Sequence, residues 1–147
     1  MKAVIQRVKE ATVKVQERGV GEIKKGILVL LCVDDNDSQK DADYLSDKII
    51  NLRIFDDENN KMNLSILDVK GELLVISQFT LSGDCNKGRR PSFDGSAKPE
   101  LAKSLYEYFI AQLKRSSLKV ESGVFGAMMD IHLVNCGPVT FILTSKQ

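Results

Sequence analysis

Leu73-Leu74-Val75-Ile76-Ser77-Gln78-Phe79-Thr80-Leu81 is the stretch on which the fold turns. Its opening apolar run is too continuous for a half-solvated strand, which would alternate, and reads as a strand buried on both faces. Small polar groups follow where the run stops. A strand end is rigid yet reachable, and a sheet protein exposes its chemistry there. Asn135-Cys136-Gly137-Pro138-Val139-Thr140 repeats the arrangement near the C-terminus, after Ile131 to Val134.

Upstream, Ala3 to Val8 and Thr12 to Val15 are β-branched stretches with interleaved polar residues and read as two strands. Gly19, Gly21 and Gly26 punctuate the next segment as turns. Ile27 to Val33 is unbroken apolar, a buried strand or a short buried helix. Its length and the preceding glycine favour the strand. Ser38 opens a helix, with Asp41 three residues on as a capping-box partner, and Ala42, Leu45, Ile49 and Leu52 form its apolar face. Arg53-Ile54-Phe55 reads as a strand, and Leu64 and Ile66 alternate with polar neighbours.

Downstream, Ser82 to Ala97 has no periodicity and is rich in Gly, Ser and Asp. A loop of that length within a compact domain is usually functional or disordered. Pro99 suits the first turn of a second helix, with Leu101, Leu105, Tyr108, Phe109 and Leu113 facing inward. Leu118 to Val120, Ile131 to Val134 and Val139 to Leu143 supply the last strands. About eight short strands and two helices, segregated rather than alternating, define an α+β fold with a curled, barrel-like mixed sheet.

The chain has 147 residues, enough for one domain, 1–147, with a sizeable core. Its net charge of +1 provides no bulk attraction to nucleic acid, so an RNA ligand needs a local basic patch. No apolar run approaches the ~20 residues of a membrane span, and no signal sequence is visible. Cys32, Cys85 and Cys136 are odd in number and widely spaced, so neither a disulfide framework nor a zinc pattern follows. A cytoplasmic protein with reduced thiols is expected, with no metal and no cofactor.

Several residues carry chemistry in this pattern. Alternation puts Ser77 and Phe79 on one face and Gln78 and Thr80 on the other. They read either as a polar strand end or as a site, but a hydroxyl nucleophile at Thr80 would need a base that no sequence neighbour supplies. His132 is the only histidine and lies in an alternating strand, which argues against a catalytic triad or a histidine metal site. Gly137-Pro138 reads as a trans turn or a cis bond that redirects two carbonyls. Lys87, Arg89 and Arg90 are a solvated basic loop or a set of phosphate contacts. Cys85 and Cys136 lack the paired histidine that thiol catalysis requires.

Met1-Lys2-Ala3-Val4-Ile5-Gln6-Arg7-Val8, Asn51-Leu52-Arg53-Ile54-Phe55, Ser77 to Leu81, Lys87-Gly88-Arg89-Arg90-Pro91-Ser92-Phe93 and Gly137-Pro138-Val139-Thr140 together resemble the D-aminoacyl-tRNA deacylase family, in order and over nearly the whole chain. The resemblance implies a homodimer with its active site at the subunit interface. Its reaction would be hydrolysis of the ester joining a D-amino acid, or mischarged glycine, to the terminal adenosine of tRNA. Ser77, Gln78, Phe79 and Thr80 would line the catalytic pocket. Gly137 and Pro138 would form a Gly-cisPro element entering from the partner, excluding L side chains. Phe125 and Met129 match a further pocket segment, and Lys87, Arg89 and Arg90 would meet tRNA. Cys136 and Ser82-Gly83-Asp84-Cys85 depart from the family pattern.

Overall fold

The computed structural model describes residues 1–146. Six strands build one mixed sheet: β1 (Lys2–Val15), β2 (Arg18–Ile23), β3 (Gly26–Cys32), β6 (Glu72–Ser77), β7 (Val120–Ser122) and β8 (Asp130–Thr144). β4 (Phe55–Asp56) and β5 (Met62–Leu64) form a small separate ladder. β1 is the spine, with β8 along one side and β2 and then β3 along the other. β3, β6 and β7 run parallel, so Cys32, Ser77 and Ser122 all end at one edge of the sheet. The result is the expected α+β fold with a nearly closed, barrel-like sheet.

The continuous apolar runs are explained by burial on both faces. One face, with Ala3, Ile5, Val29, Leu73 and Val75, lies under helices α1 (Gln39–Asn51) and α2 (Pro99–Lys114). The other carries Val8, Val13, Leu28, Leu74 and Ile76 and is closed by the sheet's own curl. β2 folds over it so closely that a Cβ at Gly21 would sit 3.2 Å from Leu74 Cδ1. Glycine here marks a close approach inside a strand, not the turn that the sequence implies.

Other differences have equally local causes. The two N-terminal strands are one, because β8 pairs with β1 along both halves through register shifts around Val8. The turn from β1 to β2 uses Gln16 and Glu17, both at positive φ, and lacks the Asn-Gly signature of such hairpins. α1 begins as predicted: the Asp41 carboxylate accepts from Ser38 N–H at 2.8 Å and Ser38 Oγ at 2.9 Å. α2 turns Tyr106 and Ile110 inward, while Leu101 is exposed and the Tyr108 hydroxyl reaches Asp43. The strand after α1 is only Phe55–Asp56, because Arg53 and Ile54 lack ladder partners.

Candidate active site

The chain leaves β6 at Ser77, but the alternation read from sequence stops there. Phe79–Ser82 coils into a 3-10 turn. Gln78 N–H donates to Leu31 O at 2.8 Å, tying the turn's start to the end of β3. Gln78 Nε2 donates to Thr80 Oγ1 at 2.5 Å, so these side chains meet. The N–H groups of Phe79 and Thr80 have no acceptor among the described residues. Among the described residues, the Thr80 hydroxyl is bonded by Gln78 and by no base, and His132 is exposed on β8.

A polar cluster absent from the sequence reading supports this turn from behind. Lys2 Nζ donates to Ser82 Oγ at 3.0 Å and Asp34 Oδ1 at 3.2 Å, and Ser82 Oγ also donates to Asp34. The buried Cys32 thiol lies 3.4 Å from the Phe79 carbonyl. Burial pushes that thiol's pKa up, making it a poor nucleophile.

Phe79 is 56% exposed and stacks edge-on against Phe93 at 5.1 Å. Phe93 ends a tongue closed by reciprocal backbone bonds between Asp84 and Ser92. Lys87, Arg89 and Arg90 lie in this tongue, exposed. Met129 lies over Gly123, where a Cβ would meet its sulfur at 2.5 Å and Ile76 Cδ1 at 3.0 Å. Phe125 packs on Tyr106 at 5.7 Å. Ser77, Gln78, Phe79 and Thr80 follow the end of β6, while Phe125 packs on the core under the helices and Met129 on the core inside the curl, so these two flank that edge from opposite faces of the sheet.

Gly137 and Pro138 are elsewhere. Gln6 pairs with Thr140 and Val8 with Asn135, so β8 spends four unpaired residues, Cys136 to Val139, where β1 spends one. They bulge out as a loop with a cis Gly137-Pro138 peptide. Asn135 closes its base, with Nδ2 3.0 Å from Val139 O and Oδ1 3.3 Å from Val139 N. Arg7, only 7% exposed, donates from Nε to Cys136 O at 3.0 Å and from Nη1 to Ile54 O at 2.8 Å. Nη1 also lies 3.1 Å from Asp56. The sequence reading gives neither Arg7 nor Asn135 a role; the signal for Arg7 is its place two residues after Ile5 and four after Ala3, on the face of β1 that is buried, since buried cations need partners.

The loop is level with Ile27 and Leu73, whereas the turn follows Leu31 and Ser77 three strands away. Ordinary strand spacing and rise separate them by roughly 20 Å along the sheet. Beside the loop lies a cavity of about 220 Å³ lined by Arg7, Lys9, Lys25, Phe55, Asp56 and Cys136. A second depression, of about 440 Å³, is lined by Lys14, Met129 and His132 among others. Among the described residues, no group of three or more His, Cys, Asp or Glu could hold a metal ion. Among the described residues, no helix is long and apolar enough to cross a membrane.

A curled α+β sheet thus carries an apolar-flanked polar turn at one edge and an extruded Gly-Pro loop remote from it. Residues 4–144 match the family described as D-Tyr-tRNA(Tyr) deacylase, and the chain belongs to it. It is 61% identical over 147 residues to the D-aminoacyl-tRNA deacylase of Thermosipho africanus (strain TCF52B), covering all of this chain and 99% of that one. It is 62% identical to the protein of the same name from Geotalea uraniireducens (strain Rf4), covering all of this chain and 95% of the other. Among solved structures, a c-Myc DNA unwinding element binding protein superposes with a TM-score of 0.93 at 41% identity, over the full length of both chains. A probable eukaryotic D-amino acid tRNA deacylase shares the fold, with a TM-score of 0.84 at 16% identity over 97% of each chain.

Proposed function

We propose that residues 1–147, as one domain, hydrolyse the ester of D-aminoacyl-tRNA, and of glycine mischarged on tRNA, in the cytoplasm and as a homodimer. What supports the two-chain reading is that the Ser77 to Thr80 turn and the Gly137-Pro138 loop lie three strands apart and at different levels of the sheet, roughly 20 Å along it by ordinary strand spacing. A substrate's ester and amino group lie only a few bonds apart. One copy's turn and a second copy's loop can meet on that substrate. Phe79, Val124, Met128, Val134, Phe141 and Ile142 are exposed apolar groups around the two stretches and along β8, the surface a second copy would cover.

In this reading Ser77, Gln78, Phe79 and Thr80 form the catalytic pocket, with Phe125 and Met129 beside it. The free N–H groups of Phe79 and Thr80 stabilise the developing oxyanion. No protein base is at hand, so the neighbouring ribose hydroxyl assists an attacking water, and orientation provides much of the acceleration. The partner's Gly137 and Pro138 face the amino group. A pocket that accepts glycine cannot select by gripping a side chain, so L residues are rejected by collision with this loop. Lys87, Arg89 and Arg90 meet tRNA phosphates, and no metal or cofactor takes part.

The test is deacylation of one tRNA charged separately with D-tyrosine and with L-tyrosine, without metal, on ribose and 2′-deoxyribose termini. Release from the D-ester alone, lost on the 2′-deoxy terminus, is expected. Equal release from both esters would defeat the exclusion reading. An acyl group trapped on Thr80 would defeat the direct attack of water. Binding of tRNA without release would instead support a non-catalytic tRNA-binding dimer.

A further inference from the structure

The cavity beside the extruded loop is cationic in a way the proposed reaction does not use. Arg7 spends Nε and Nη1 on Cys136, Ile54 and Asp56, while its Nη2 has no acceptor among the described residues. No buried side-chain nitrogen or oxygen lacks a partner among the described residues, so this free Nη2 is reached from the cavity and is available to a ligand there. Lys9 and Lys25 line the same cavity, exposed, and neither has an ion-pair partner among the described residues. Lys25 Nζ sits 5.8 Å from the centre of the Phe55 ring, an aromatic face that favours a cation there. Three cations stand against one carboxylate, Asp56, already engaged by Arg7, which leaves an excess of two positive charges.

Such a lining repels metal ions and attracts a compact anion with several acceptor oxygens. Its position narrows the choice. The cavity shares Cys136 with the loop that, on the proposed function, faces the aminoacyl ester. The anions nearest that ester are the phosphodiesters of the tRNA 3′-terminal single strand. A chain with a net charge of only +1 must hold this strand through local cationic sites.

We propose that this cavity binds one backbone phosphate of the tRNA 3′-terminal strand, through Arg7 Nη2, Lys9 and Lys25. The inference rests on the proposed function, and it adds a phosphate site remote in sequence from Lys87, Arg89 and Arg90. In a homodimer it places the strand across both subunits.

The experiment is fluorescence anisotropy with labelled, uncharged tRNA from 50 to 200 mM KCl. It compares the wild type, a Lys9→Gln/Lys25→Gln variant, and a Lys40→Gln/Lys48→Gln control that removes as many charges from exposed positions on α1. The cavity variant should bind more weakly, with a salt slope reduced by about 0.7, so that its deficit shrinks about threefold over this range. The control should keep the wild-type slope. An unchanged slope in the cavity variant, or an equal fall in the control, would overturn the proposal. Inorganic phosphate binding to the wild type, with tRNA slopes unchanged by the substitutions, would assign the cavity to a free anion instead. Release of D-tyrosine by the wild type is measured alongside. Its absence would defeat the proposed function, whereas normal release with an unchanged slope would defeat the phosphate site alone.

Discussion

Replacing Arg7 with methionine separates the packing of the extruded loop from the stability of the fold. The substitution keeps an unbranched apolar stem but removes every bond of the guanidinium. Ile54 is 2% exposed, so its carbonyl loses Nη1 with no water to replace it, a cost of about 1–3 kcal/mol. Cys136 is half-buried and its carbonyl can hydrate, so that bond contributes about 1 kcal/mol. The Asp56 side chain is 43% exposed, and its loss of a partner adds little. Together these predict destabilisation of about 2–4 kcal/mol, or about 10 °C in Tm for a chain of this size. Urea and thermal unfolding measure it. Well below the new midpoint, the ratio of D- to L-tyrosyl-tRNA deacylation should fall further than the D rate, because the loop loses its tether to β1. Arg7→Lys should recover only part of both, since an ammonium cannot span the two carbonyls as the planar fork does. A destabilised variant with an unchanged D/L ratio would refute the tether and leave Arg7 a core cation only.

Other perturbations test different parts of the molecule. Ile142, 76% exposed on β8, should be essential for assembly. Ile142→Asp should sediment as a monomer and lose about 100-fold in D-ester hydrolysis, as expected when a positioning element is withdrawn; full activity in a proven monomer would refute the two-chain site. Partial burial works to raise the Asp41 carboxyl, but hydrogen bonds from Ser145 and Ser38 outweigh it and hold the pKa at about 2, against 3.8 ordinarily. A depressed carboxyl stabilises the fold above its unfolded value and loses that contribution as pH falls through the folded one. Asp41→Asn should therefore be less stable than wild type at neutral pH, with the gap closing between 3.8 and about 2, as acid titrations would follow. Iodoacetamide should label the exposed Cys85 first and the buried Cys32 last, without stopping deacylation; loss of activity in step with Cys85 labelling, read by mass spectrometry, would revive a thiol mechanism.

What the sequence made legible is what depends on burial and on local hydrogen bonds. The run Leu73 to Ile76 could be read as a strand covered on both faces, and Ser38 with Asp41 as a helix start, because each signal is contained within a few residues. Tyr106 escaped because its hydroxyl is satisfied by the Val75 carbonyl 2.8 Å away, across the helix–sheet interface. Apolar spacing alone favoured Leu101, which lies in the first turn of α2 with an exposed side chain. The 3-10 turn at Phe79–Ser82 was hidden for a similar reason: it is anchored by the Leu31 carbonyl, which belongs to a neighbouring strand. Both candidate stretches were visible as polar punctuation, but their separation was not, because it follows from the pairing of β8 with β1 rather than from either segment.

On the proposed function, that separation bears on how a chiral filter can be rigid and permissive together. A wall that admits glycine and D residues while refusing L residues must not yield by the width of a methyl group. Most loops yield more than that, being the mobile part of a fold. The Cys136 to Val139 loop has no ladder bonds to stiffen it, and gains its fixation from side chains instead: Asn135 across its base and Arg7 on the Cys136 carbonyl. Both anchors lead to β1 at the centre of the sheet, Arg7 directly and Asn135 through its Nδ2 bond to the Arg7 carbonyl, and packing there leaves little freedom. The Ser77 to Thr80 turn is held by an independent set, Gln78 on Leu31 and the Lys2, Asp34 and Ser82 cluster. If one chain's loop meets another chain's turn, each half of the filter is fixed before the substrate arrives, and closure requires only docking of two rigid edges. Stereochemical accuracy in such a design depends on the interface as much as on any residue in the pocket.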